Sequence, residues 1–107
     1  MNINFEEIIK GLTQAMQGHL SAGVDEVKTY ATRFTERRQK RLTEIARLYA
    51  DKIITADQMR EELEDEGRLL EAQLIAIHAI AKAAAQKAAN AAINFLTDYF
   101  IQWIKPF

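Results

Sequence analysis

The residues with most capacity for chemistry form a run of cations: Arg33, Arg37, Arg38, Lys40 and Arg41, with Arg47 further on. Such a run can grip the phosphates or carboxylates of a partner, or pair with acids of its own chain. The acids are present, since Glu61, Glu62, Glu64, Asp65 and Glu66 follow in one short segment. If the chain reverses at Ile54-Thr55, Arg47 comes opposite Glu62, and Arg41 and Lys40 come opposite the stretch from Glu66 to Glu71. We therefore expect an intramolecular charge zipper. Exposed pairs contribute only about 0–1 kcal/mol each, but they set register and disfavour wrong pairings. Arg33, Arg37 and Arg38 lie nearest the unmatched end and are the candidate recognition residues. A net charge of −1 gives the chain no general attraction for nucleic acid, so binding of that kind would rest on this patch alone.

A second concentration is apolar and aromatic. Phe95, Leu96, Tyr99, Phe100, Ile101, Trp103, Ile104 and Phe107 crowd the C-terminal segment. Trp and Tyr are the residues of protein-binding hot spots, and also of membrane headgroup belts, here beside Lys105. The plain alternative is that Phe5, Ile8 and Leu12 of a first helix fold back over Phe95, Leu96 and Phe100. As candidate interface residues we take Phe95, Leu96, Tyr99, Phe100, Trp103 and Ile104.

Other constellations point away from catalysis. His19 and His78 have Met16 and Ile75 three residues before them, so the Glu-x-x-His signature of di-iron bundles is absent. Without Cys there is no thiolate ligand or nucleophile, and no phosphate-loop or zinc-protease motif occurs. We expect no enzyme activity, cofactor or metal. The line Lys82, Gln86, Asn90 and Asn94 reads as the wet edge of a helix. A polar seam inside an oligomer, or a pore lining, would need the same spacing.

The elements that must position these residues are helices. Few Gly and one Pro leave few breaks, and Ala, Leu, Glu, Gln, Lys and Arg dominate. Asn4 with Glu7 predicts a helix start, and Phe5, Ile8, Ile9, Leu12 and Met16 keep the helical period to about residue 20. A second helix is expected over about 24–53. Thr55 with Gln58 predicts the start of a third, over about 56–104, because neither Gly nor Pro interrupts Leu69–Ile104. Gly67 falls on or beside its apolar seam, where it either weakens the helix or admits a close neighbour. A rod of that length, near 70 Å at 1.5 Å per residue, has more apolar circumference than the rest of the chain can wrap.

We thus expect an all-α, three-helix architecture in a single domain: a long antiparallel hairpin plus a short amphipathic N-terminal helix, completed by oligomerisation. The function expected is that of a non-enzymatic structural or adaptor protein that self-associates through its Ala-rich and aromatic C-terminal helix. Two alternatives belong to other classes. One is a membrane-active protein, a pore former or interface binder, using Ala79–Ile104. The other is a nucleic-acid-associated protein using the Arg33–Arg41 run. The opening MNINFEEIIKG has no basic lead and carries two acids, so a cytoplasmic location is expected.

Overall fold

Helix ends are set by local chemistry wherever the sequence supplies it. The computed structural model describes residues 3–104, and its elements are α1 (Phe5–Gln17), α2 (Val24–Ala50), α3 (Ala56–Ala76) and α4 (Lys82–Trp103). The Asn4 side-chain oxygen accepts from the amides of Glu6 and Glu7 at 3.0 and 3.2 Å, capping α1. Glu7 does not close the box, because its carboxylate accepts from the Tyr99 hydroxyl at 3.3 Å instead. At α3 the box is complete: Thr55 Oγ1 accepts from the Gln58 amide at 3.1 Å, and Gln58 Oε1 accepts from the Thr55 amide at 2.8 Å. α2 stops three residues before the expected end. Lys52 adopts φ 61°, its amide donates to the Tyr49 carbonyl, and the Ile53 amide reaches the Leu48 carbonyl. Those two bonds make a Schellman closure with Lys in the left-handed position usually given to Gly.

The expected third helix divides in two, so the architecture has four helices rather than three. The chain turns over residues 77–81, where Ala79 takes φ 53° and the Ile80 amide donates to the Leu74 carbonyl at 3.0 Å. Local propensity gives no reason for this break. Burial does. Ala85, Ala88, Ala92, Leu96 and Phe100 are fully enclosed once α4 doubles back. At about 25 cal/mol per Å2 of apolar surface, enclosing such a face outweighs the roughly 1–2 kcal/mol that a left-handed Ala costs. The premise of a rod too greasy for its own chain is thereby corrected, since the rod folds in half and covers itself.

Each helix packs on its neighbours in sequence, and α1 also packs on α4, closing a ring 41 × 22 × 21 Å in extent. Neighbours run antiparallel. Arg38 meets Glu66 across α2 and α3, Arg60 meets Asn94 across α3 and α4, and Glu7 meets Tyr99 across α1 and α4. Ile8, Leu12, Phe34, Leu63, Leu70 and Phe100 are among the fully buried side chains inside the ring.

Two glycines admit α4 to this ring. A Cβ on Gly11 would lie 1.9 Å from the Phe95 ring, and one on Gly67 would lie 2.5 Å from Ile93 Cγ1. Gly18 has open space around it. Replacing Gly67 by Ala should therefore lower stability by about 2 kcal/mol through overpacking, despite the better helix propensity of Ala. Gly18→Ala, at an ordinary helical φ of −72°, should instead be neutral or stabilise by about 0.5 kcal/mol. Urea denaturation of the two variants checks the contrast.

Candidate functional site

The charge zipper forms, in a register shifted from the expected one. Arg41 rather than Arg47 meets Glu62, at 2.7 Å. Arg38 meets Glu66, its Nε and Nη2 donating to the two carboxylate oxygens at 3.1 and 3.0 Å. These pairings place the pivot of the hairpin at Lys52, the left-handed residue, rather than between Ile54 and Thr55. Glu66 is buried and the Arg38 side chain is about one-third exposed. The planar guanidinium satisfies both oxygens of a carboxylate that water barely reaches. Arg38 is therefore committed within the fold, and of the three candidate recognition residues only Arg33 and Arg37 stay available.

The zipper ends beyond that pair. By helical spacing from Glu62 and Glu66, the next positions of α3 on this side are Leu69 and Gln73, which carry no charge. Arg33 and Arg37 are exposed one turn apart on α2, with no ion-pair partner among the described residues. Beside them His78 stacks on Tyr30, ring centroids 3.9 Å apart and planes tilted by 31°. Burial lowers the proton affinity of His78 below the ordinary histidine value, and the positive charges of Arg33 and Arg37 lower it further. Tyr30 is shifted up, first by burial and then by the Glu26 carboxylate that accepts from its hydroxyl at 3.4 Å. Distance in sequence conceals this cluster, for nothing near His78 announces Tyr30.

The aromatic segment is divided between core and surface. Leu96 and Phe100 are fully buried, and Ile104 almost so, which commits these three to the interior of the single chain. Phe95 and Tyr99 are half-buried against the core, with Phe95 over Gly11 and Tyr99 bonded to Glu7. The first helix thus folds back over this end. Trp103 stays 65 % exposed, its ring 6.2 Å from that of Tyr99. Lys105 and Phe107 lie outside the described residues.

The wet edge of α4 sits as expected, with Lys82, Gln86, Asn90 and Asn94 exposed and Arg60 donating to Asn94 at 2.6 Å. One surface escaped the sequence reading. Leu69, Ala72, Ile75 and Ala76 are exposed together on the outer side of α3, and Ile77 is exposed just beyond its end. The signal was present, because Leu69 and Ile75 lie off the seam of Met59, Leu63, Leu70 and Leu74. A rod wanting cover on all sides hid it.

Among the described residues no group of His, Asp and Glu is arranged to hold a metal ion, and no helix is long and apolar enough to cross a membrane. Comparison with protein-family models, with curated proteins and with solved structures finds no match.

Two measurements test the division of labour among the arginines. Arg38→Ala strands the buried Glu66 and should destabilise by about 2 kcal/mol, while Arg33→Ala should stay within about 0.5 kcal/mol, as read from thermal melts. His78 should titrate below the ordinary histidine value in proton NMR. Its folded-state pKa being depressed, stability is fully present above the unfolded value and falls as pH drops towards the folded one. Changing Arg33 and Arg37 together to Gln should move the His78 titration upward without restoring it, because burial is the larger cause.

Proposed function

We propose that this chain is a non-enzymatic helical scaffold or adaptor protein that self-associates. The observation that carries the reading is the outer face of α3 over its last turns, where Leu69, Ala72, Ile75 and Ala76 stand exposed with no charge among them. Contiguous apolar exposure along one side of a helix is the pattern of a contact surface. The occupant we assign is a second copy of the chain. An uncharged apolar helix face is self-complementary about a two-fold axis.

Support for a recognition role at Arg33 and Arg37 comes from their lack of carboxylate partners beside this patch. A continuous polyanion suits the surface poorly, since Glu36 and Glu44 interrupt Arg33, Arg37, Lys40 and Arg47 along the exposed side of α2.

Sedimentation velocity across the micromolar range tests self-association. The native chain should show a dimer whose population rises with concentration. The double change Leu69→Glu and Ile75→Glu should give a monomer with unchanged helical circular dichroism, weakening association at least a hundredfold, about 3 kcal/mol. A native chain that stays monomeric throughout overturns the reading.

A further inference from the structure

The turn between α3 and α4 is held by backbone hydrogen bonds without a side-chain cap, as is the start of α2 at Gly23. Asn4 caps α1 and Thr55 caps α3 with side-chain hydrogen bonds, but Ala81 offers none to α4. Lys82 places a positive charge in the first turn of α4, where the helix dipole favours an acid, and no basic residue sits in the last turn of α3. Ala79 holds φ 53° without being Gly. Residues 77–81 contain neither Gly nor Pro, so nothing in their chemistry forbids a continuous helix.

From these features we infer that the 77–81 turn is a hinge that straightens, and that the α4 of one copy then occupies the α1–α3 groove of a second copy in exchange for its own. Straightening gives the amides at the start of α4 the carbonyl acceptors four residues back that an uninterrupted helix supplies. It relieves Ala79. Isolated, the open form would lose the burial of α4, which is why it needs a second chain. In the exchanged dimer every α4 contact returns between chains, including Ile93 over Gly67 and Phe95 over Gly11. The partner must be this same sequence, because those two glycine sockets are shaped for this α4.

The straight helix also creates a new surface. Leu69, Ala72, Ala76, Ala79 and Ala83 are all exposed in the folded-back form. In a continuous helix they fall on one stripe at alternating spacings of three and four, the pattern by which two helices pack side by side. At Ala79 the bent chain interrupts that stripe.

This inference rests on the self-association proposed above, and cross-linking separates the two. The chain has no Cys, so single cysteines can be placed freely. Arg60→Cys goes into one preparation and Asn94→Cys into another, at positions whose native side chains touch at 2.6 Å across α3 and α4. The two are mixed, refolded together from urea and treated with a short bismaleimide. Exchange predicts a covalent dimer linked from residue 60 of one chain to residue 94 of the other. Ala79→Gly, which relieves the bent form and weakens the straight one, should raise the dimer Kd on the order of thirty-fold, two hinges being involved per dimer. A dimer without the 60–94 link overturns exchange and leaves self-association standing. A Kd unmoved by Ala79→Gly also overturns the hinge. A strict monomer removes both.

Discussion

The fold depends on how closely α4 can approach its neighbours. An alanine face buries little area per residue, so it stabilises only when backbones come near enough for many atoms to touch at once. Gly11 and Gly67 permit that approach. Each gives up a side chain so that Phe95 or Ile93 can sit directly on a helix backbone. Small residues on α4 and glycines on α1 and α3 are two halves of one device. Larger residues on α4 would hold it off, and side chains at the two glycines would leave its alanines facing gaps.

Electrostatics settles the register of the middle hairpin rather than holding the bundle together. The pairs around Arg41 are partly exposed and contribute little. Arg38 and Glu66 differ because the carboxylate is enclosed. A slip that set Phe34 or Leu42 in the place of Arg38 would take from that carboxylate the guanidinium that meets both its oxygens, at a cost above the value of a surface pair. The apolar seam alone would tolerate some sliding. The buried pair does not, so a polar contact supplies the specificity that apolar burial lacks.

The sequence made legible whatever is encoded over a few residues. Asn4 and Thr55 as caps, an antiparallel hairpin after the second helix, and the pairing of basic with acidic runs follow from local pattern, whereas the return of the first helix onto Phe95, Leu96 and Phe100 joins distant parts of the chain. The shift in register has a local cause too: Lys52 takes the left-handed position usual for Gly, which sets the pivot ahead of Ile54-Thr55. The division of the third helix lay outside such reasoning. His78, Ala79 and Ile80 are no poorer as helix formers than many residues that remain helical. The break exists because α4 gains more by packing on α1 and α3 than an uninterrupted rod gains by keeping its ladder, and that comparison requires the assembled ring. The exposed apolar side of α3 went unread for the same reason, since the outer side of that helix is defined only once α4 occupies the inner one.

The four elements thus divide into two kinds. α2 and α3 are joined by a short turn that holds a capping box at Thr55 and a Schellman closure at Lys52. α1 and α4 meet through Glu7 and Tyr99, 92 positions apart, and α4 enters the ring through a turn with no capping side chain. Loop closure over such a span costs entropy before any burial offsets it. The ring is therefore completed chiefly by packing between distant parts of the chain, and the position of α4 is the least locally determined feature of the molecule. An element placed only by the shape of its groove is satisfied by any groove of that shape, and a second copy of the chain presents an identical one.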